Sequence, residues 1–145
     1  MSETAAAVTR ADFPHLLEIQ TRWNDNDVYG HVNNVVHYSL MDTVINTWLI
    51  EQGGLDIETG AVIGLCVESH CGYHASVSFP GSLRVGLRVA HLGKSSVRYE
   101  IGMYAADESL VAEGHFVHVF VDRESRRPTP VSGKLREALE ALQPG

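Results

Sequence analysis

A helical spacing of apolar residues dominates the first half of the chain. From Tyr38 onward the apolar positions recur every three or four residues, as they do on one face of an α-helix. They are Tyr38, Met41, Val44, Ile45, Trp48 and Leu49. Asn33 or Asn34 is a suitable N-cap, and Gly53-Gly54 is a suitable C-terminal stop. We therefore expect one long helix between these pairs, apolar enough to be covered on most sides.

Elsewhere apolar residues alternate with polar ones, which indicates strands with one buried face. A first strand is expected to end at Trp23, and its buried face is expected to carry Leu17, Ile19, Thr21 and Trp23. Four strands are predicted after the helix, within residues 61–79, 83–89, 97–103 and 110–121, and the first of these stretches is expected to be broken near Gly72. The last of them is apolar on both faces, so we expect it to be central or covered twice. A short amphipathic helix is predicted over residues 134–142.

The predicted order is one strand, one long helix and then four strands. Strands that follow one another through short turns pair antiparallel, so the sequence predicts an α+β fold in which a five-stranded antiparallel sheet wraps around the helix. We expect residues 1–145 to form one domain and residues 1–10, which are small and polar, to be flexible. A single sheet on a single helix leaves the sheet edges open, which favours an oligomer.

Composition and charge narrow the possible functions. The 145 residues are 44% apolar and carry a formal charge of −7 without a basic stripe, which argues against nucleic-acid binding. Cys66 and Cys71 have no metal-ligand or disulfide spacing, and the scattered histidines assemble no zinc site. No run approaches the roughly 20 apolar residues of a membrane span, and the first residues lack the pattern of a signal peptide. We therefore expect a cytoplasmic location.

A polar turn directly before the predicted helix carries the most suggestive chemistry. Asp25 and Asp27 belong to it, and the free backbone N–H groups of a helix N-terminus bind developing negative charge. Asp27 is therefore a candidate general base or nucleophile, with amides near Asn33 and Asn34 as oxyanion donors. The competing interpretation is that both aspartates only form Asx-turns. A calcium loop is excluded, because the twelfth position from Asp25 is Val36 rather than a glutamate.

The remaining polar residues give weaker indications of function. His31 is a candidate to orient Asp27 or to contact a substrate, although a lone loop histidine is more often structural. Four basic residues cluster around one strand connection, namely Arg84, Arg88, Lys94 and Arg98. Such a cluster is usually a solvated face, but it suits a phosphate-bearing ligand. The chain has no G-x-S-x-G elbow, P-loop or dinucleotide fingerprint.

Two segments resemble a known family. The first runs from Arg22 to Asn34 (RWNDNDVYGHVNN), and the second runs from Leu92 to Ser96 (LGKSS). They resemble the acyl-CoA thioesterases of the 4-hydroxybenzoyl-CoA thioesterase-like family, in the hotdog superfamily, and the similarity extends over residues 13–131. This resemblance implies a hotdog fold, hydrolysis of an acyl-CoA to a free acid and coenzyme A, and no metal or organic cofactor.

The resemblance also assigns catalytic roles by position. Asp27 matches the catalytic carboxylate, and Asn33 and Asn34 match the helix start whose main-chain amides polarise the thioester carbonyl. The family forms its active sites between two subunits. We therefore expect a homodimer, with pairing of dimers into a homotetramer as a further step.

The sequence and the resemblance also point to a second group of residues, which are candidates for substrate binding. The candidates are His31, His37, Asp42, Arg88, Lys94 and Ser95. Arg88, Lys94 and Ser95 match the region that contacts the nucleotide end of coenzyme A. His37 stands where similar sequences carry Tyr, one turn into the helix, and is expected to line the acyl pocket.

Two other functions remain open at this stage. A non-catalytic acyl-CoA or acyl-carrier binding module would keep the groove and the basic rim without needing Asp27. Hydratases and dehydratases share the hotdog fold, but they need a catalytic histidine paired with an acid on the helix. His37 is the only histidine of the predicted helix and has no evident partner, so the sequence favours the thioesterase.

Overall fold

The chain folds as one sheet and two helices in the structure, a computed structural model that describes residues 10–144. The strands are β1 (His15–Gln20), β2 (Val62–Tyr73), β3 (Ser82–Leu92), β4 (Ser96–Tyr104) and β5 (Leu110–Asp122). The helices are α1 (Asn34–Glu51) and α2 (Gly133–Ala141). Short 3-10 turns cover Arg10–Asp12 and Trp23–Asp25. The flexibility predicted for residues 1–10 concerns residues outside the described range, apart from Arg10.

The five strands form a single antiparallel sheet in the order β1-β3-β4-β5-β2. The α+β fold with one long helix against a five-stranded antiparallel sheet is therefore confirmed. One pairing differs from the prediction, because the consecutive strands β2 and β3 are not neighbours. The eight residues between them span up to about 26 Å, whereas the three strand spacings that they cross add up to only about 14 Å. The linker is thus long enough to separate the two strands.

Two predicted strands end earlier than expected. β1 stops at Gln20, and Trp23 is 77% exposed instead of lying on the buried face. The cause is local, because the amide of Arg22 donates to the Asp25 carboxylate at 2.7 Å and turns the chain away from the sheet. β2 stops at Tyr73, beside the break predicted near Gly72, and the strand does not resume before residue 79, since the next two amides both donate to the Val111 carbonyl and end the ladder.

The core lies between α1 and one face of the sheet. The buried face of α1 carries Met41, Val44, Ile45, Trp48 and Leu49. The buried residues of β3 in the same core are Leu83, Val85, Leu87 and Val89. The opposite side of α1 is open within one chain, where Val35 is 68% exposed and Ile50 is 45% exposed. The expectation that α1 is covered on most sides is therefore not met by a single copy of the chain.

The other face of the sheet is partly covered by the segment before β1. The Phe13 ring lies over Gly86 and Gly102, which face each other in the β3–β4 register. A Cβ added at Gly86 would come within 2.6 Å of that ring, and one at Gly102 within 2.8 Å. Glycine is therefore required at both positions for the ring to reach the backbone. Within residues 10–144, neither helix has the length and apolarity needed to cross a membrane.

Candidate active site

Asp25 is a structural residue that shapes the turn before α1. Its carboxylate is buried and accepts hydrogen bonds from the Arg22 amide and from the Arg22 guanidinium at 2.8 Å. Its own carbonyl accepts from the Asn33 amide at 2.9 Å. Burial raises the pKa of Asp25, but the hydrogen bonds and charge of Arg22 outweigh it, so the net pKa lies below the ordinary value. Asp25 therefore fits the turn-forming interpretation.

The contacts of Asp27 fit both interpretations of its role, the Asx-turn and the catalytic carboxylate. One carboxylate oxygen accepts from the Tyr29 amide at 2.9 Å and closes an Asx-turn. The other oxygen lies 3.4 Å from the side-chain nitrogen of Asn33, a distance at the long end for a hydrogen bond. Gly30 follows with φ +82°, which closes the turn in a conformation that favours glycine. Among residues 10–144, the second oxygen of Asp27 thus has only one weak partner, and it is available to a ligand.

The first turn of α1 leaves one free amide. Asn33 is the N-cap, and its side-chain oxygen accepts from the Val35 amide at 2.9 Å. The Asn33 amide donates to the Asp25 carbonyl, and the Val36 amide donates to the Asn33 carbonyl. Among residues 10–144, nothing accepts a hydrogen bond from the Asn34 amide. Of the two amides predicted as oxyanion donors, only that of Asn34 is therefore free.

A cavity of about 420 Å³ connects these groups. It is lined by Asp27, Tyr29, His31, Val32, Asn34, His37, Tyr73, Ala75 and Ser76. Four predicted site residues thus share one cavity: Asp27, His31, Asn34 and His37. Sequence reasoning missed Tyr73, Ala75 and Ser76, which belong to β2 and to the chain just after it. Their only sequence signal was the strand pattern, and that pattern does not say which end of the sheet they reach.

His37 and Tyr73 form the inner wall of the cavity. His37 is buried, and its Nδ1 lies 3.1 Å from the Asn33 carbonyl oxygen. The Tyr73 hydroxyl donates to the Asn34 carbonyl at 3.1 Å, and the two rings meet edge to face with centroids 5.1 Å apart. Burial lowers the pKa of His37, and burial together with the neighbouring Cys71 raises the pKa of Tyr73 to about 12. Both side chains are therefore neutral near pH 7.

Three hydrogen bonds fasten the loop that carries Asp27 to the chain after β2. We call residues 26–32 the Asp27 loop and residues 74–79 the wall segment. The Val32 amide donates to the Val77 carbonyl at 2.8 Å, and the Phe79 amide donates to the Asn26 side chain at 3.0 Å. The Ser78 hydroxyl donates to the Gly30 carbonyl at 2.8 Å. The wall segment thus both lines the cavity and holds the Asp27 loop in position.

The other predicted substrate-binding residues lie elsewhere in the chain. Asp42 is exposed on α1, where its carboxylate accepts from Asn46 at 3.0 Å. Arg88 is on the outer face of the sheet, where it pairs with Glu100 at 2.8 Å. Within a single chain, neither lines the cavity around Asp27.

Lys94 and Ser95 lie in the turn between β3 and β4, at the far end of the sheet. The strand registers align Tyr73 with Ala112 and Ser96 with Val119. Those two β5 positions differ by seven residues, which corresponds to about 23 Å along a strand. One copy of the chain therefore does not bring Lys94 or Ser95 to the cavity.

The described residues include no metal-ligand cluster, and a second cavity that they enclose has no titratable lining residue. Among residues 10–144, no three side chains of His, Cys, Asp or Glu are grouped as metal ligands. The second cavity measures about 230 Å³, and its lining residues are Asn46, Leu49, Leu55, Ile57, Ile63 and Gly64. None of these side chains titrates, so that cavity has no acid or base to catalyse a reaction.

A family model for the thioesterase-like superfamily matches residues 21–139. The chain belongs to the thioesterase-like superfamily. The match covers the Asp27 loop, every residue that lines the cavity and the whole of α1. Thioester hydrolysis is thereby established as the class of reaction, and the family prediction and the hotdog fold are confirmed.

Solved structures with this fold include a close relative of the chain. The PA5185 protein from Pseudomonas aeruginosa is 53% identical, with a TM-score of 0.91 over 94% of this chain and 96% of that one. The PA2801 protein from the same organism is 31% identical, with a TM-score of 0.82 over 88% and 98%. Slr0204, a 1,4-dihydroxy-2-naphthoyl-CoA thioesterase from Synechocystis, is 19% identical, with a TM-score of 0.79 over 88% and 96%, and shares the fold. No curated protein matches this member of the thioesterase-like superfamily.

Proposed function

We propose that the protein hydrolyses acyl-CoA thioesters to a free acid and coenzyme A. The observation that carries this proposal is that Asp27, with one weakly bonded carboxylate oxygen, and Asn34, with a free amide, line the same cavity. A base or nucleophile and an oxyanion donor are the two groups that this reaction needs. Coenzyme A as the carrier is supported by the reaction for which Slr0204 is named.

The reaction runs through a tetrahedral intermediate. The thioester carbonyl oxygen accepts a hydrogen bond from the Asn34 amide, and negative charge develops on it as the carbonyl carbon is attacked. With Asp27 as general base, a water oxygen bonds to that carbon while Asp27 takes the proton. The carbon–sulfur bond then breaks, and the thiolate leaves with little need for acid assistance. With Asp27 as nucleophile, its oxygen attacks first, and water then hydrolyses the resulting anhydride.

We further propose that the working unit is a homodimer, with a homotetramer as a pair of such dimers. β2 is the longer of the two sheet edges, and its Val67 is 60% exposed. Tyr73, which is exposed, lines the cavity, and the exposed Val35 directly follows the lining residue Asn34 on α1. In the same chain, Lys94 and Ser95 lie about 23 Å along the sheet from Tyr73, and the proposal is that the same turn of a second copy contacts coenzyme A at this cavity.

The oligomeric state has a direct test. Light scattering on the purified protein should give twice the mass of one chain, or four times that mass. A Val67→Lys variant places a charge on the β2 edge and should shift the mass toward the single chain. A wild-type mass of one chain at micromolar concentration would refute the homodimer. The cytoplasmic location remains a prediction from the sequence.

The two alternative functions are weaker on these observations. A hydratase needs a helix histidine paired with an acid, whereas His37 is bonded to a main-chain carbonyl. A binding module without catalysis would not require the free oxygen of Asp27. Both alternatives are separated from the thioesterase by measuring turnover.

The decisive experiment measures thiol release from short, long and aromatic acyl-CoAs. The wild type should hydrolyse at least one of them, and Asp27→Asn should lower the rate by about a hundredfold or more. Glu137→Gln is the matched control, because this exposed carboxylate on α2 lies outside the cavity. Asp27→Asn at wild-type rate would remove Asp27 from the mechanism. Binding of an acyl-CoA without any turnover would favour the binding module.

A further inference from the structure

The peptide bond between Asn33 and Asn34 has its two ends in different environments. Its N–H group, on Asn34, has no partner among residues 10–144, and Asn34 lines the cavity. Its C=O group, on Asn33, accepts from the Val36 amide at 2.9 Å and faces His37 Nδ1 at 3.1 Å. The proposed oxyanion donor and the atom bonded to His37 therefore belong to the same planar unit.

The geometry fixes the proton on His37. The Asn33 carbonyl only accepts hydrogen bonds, so Nδ1 carries the hydrogen and Nε2 has the lone pair. Nε2 is buried and has no partner among the described residues. Burial lowers the pKa of His37, and the positive end of the α1 dipole also disfavours a second proton. The ring is therefore a neutral donor aimed at the Asn33 carbonyl.

We propose that His37 is a positioning residue, which orients and polarises the Asn33–Asn34 peptide so that the Asn34 amide becomes a stronger oxyanion donor. This inference rests on the proposed thioesterase function and adds a residue that acts through another. A hydrogen bond accepted by the carbonyl of an amide shifts electron density toward its oxygen and strengthens the N–H at the other end.

The surrounding contacts hold His37 in the orientation that this role needs. The Tyr73 ring packs against it edge to face, with centroids 5.1 Å apart. The Tyr73 hydroxyl also donates to the Asn34 carbonyl, which fixes the next peptide unit. His37 and Tyr73 thus bind the two carbonyls that flank Asn34. The first turn of α1 is held at the residue whose amide meets the substrate.

The size of the effect follows from two general magnitudes. One oxyanion donor is worth about 10²–10³ in kcat. An accepted hydrogen bond strengthens the next one in a chain by about 10–30%. Loss of the His37 donor should therefore lower kcat by roughly two- to eightfold. KM should change little, because the Asn34 amide binds the transition state more strongly than the ground state.

Two variants at position 37 separate the hydrogen bond from the ring. His37→Leu removes the donor, whereas His37→Asn keeps a nitrogen donor at the position of Nδ1. Both variants lose the aromatic ring, so any difference between them reports the hydrogen bond. His37→Leu should show the fall in kcat at nearly constant KM in acyl-CoA hydrolysis, and His37→Asn should restore kcat.

The amide of Asn34 supplies a readout that does not depend on activity. In ¹⁵N-labelled protein, its proton resonance should lie further upfield in His37→Leu than in His37→Asn. Equal Asn34 resonances in the two variants, or equal kcat values, would overturn the proposal. If the wild type hydrolyses no acyl-CoA, the proposed function fails, while the two resonances still decide whether His37 polarises the peptide.

Discussion

Replacement of Asn33 tests whether the start of α1 performs two separable tasks. The side-chain oxygen of Asn33 caps the helix by accepting from the Val35 amide at 2.9 Å. The side-chain nitrogen approaches the Asp27 carboxylate at 3.4 Å. Asn33→Ala removes both contacts. Asn33→Ser keeps an oxygen that caps the helix but has no amide group to offer Asp27.

The cap dominates the effect on stability. An N-cap side chain contributes about 1 kcal/mol, within a range of about 0.5–2 kcal/mol. The contact with Asp27 is near the limit of a hydrogen bond, so its contribution to stability is small. We therefore expect Asn33→Ala to lower the free energy of unfolding by about 1 kcal/mol. For a chain of this size that corresponds to a fall in Tm of about 3 °C.

The assay is urea unfolding at a fixed protein concentration, together with thiol release from an acyl-CoA. Asn33→Ser should keep the wild-type midpoint within experimental error, and Asn33→Ala should shift it without changing the m-value. Hydrolysis should slow by a similar factor in both variants, because both lose the side-chain nitrogen that contacts the second oxygen of Asp27. If Asn33→Ser unfolds as easily as Asn33→Ala, the cap does not stabilise α1 and the reasoning is refuted.

Two further predictions concern the core of the sheet. Gly102→Ala should lower the free energy of unfolding by about 1–3 kcal/mol, because the added Cβ would lie 2.8 Å from Phe13 and 2.9 Å from Tyr104. In urea unfolding, the double variant with Phe13→Leu should lose less stability than the sum of the losses in the two single variants. His118 is buried, and burial lowers its pKa from 6.5 to about 4. Between these two pH values, His118 is therefore protonated in the unfolded chain and neutral in the folded chain. The stability that neutral His118 allows should therefore be fully present above pH 6.5, and the free energy of unfolding should fall by about 3 kcal/mol toward pH 4. If unfolding of His118→Leu, measured over the same pH range, depends on pH as steeply as unfolding of the wild type, the prediction is wrong.

Local patterns in the sequence were sufficient to locate α1 and its functional end. The spacing of Met41, Ile45 and Trp48 identifies one helix face, and the Asn and Gly pairs mark both ends within two residues of the observed limits. The same pairs position Asp27 beside the helix start. These features depend on neighbours in the chain, which is why a sequence alone reveals them.

Structural features that depend on residues far apart in the sequence could not be predicted from local patterns. The alternation up to Trp23 predicts a strand, but a hydrogen bond from Arg22 to Asp25 ends it three residues earlier. The contact between Tyr73 and the Asn34 carbonyl joins residues 39 positions apart, and no periodicity records it. The neighbour of β2 is likewise decided by competition among strands, because a long linker permits several pairings.

The attachment of the Asp27 loop to the wall segment has a consequence for the time course of turnover. Neither segment is a helix or a strand of the sheet, and three hydrogen bonds join the two segments in addition to the bonds that each makes elsewhere. Segments joined in this way open together as one local unfolding event. The amides of Val32 and Phe79 should therefore exchange with solvent deuterium at a common rate. Each opening should also displace Asp27, so we expect hydrolysis only while the loop is closed.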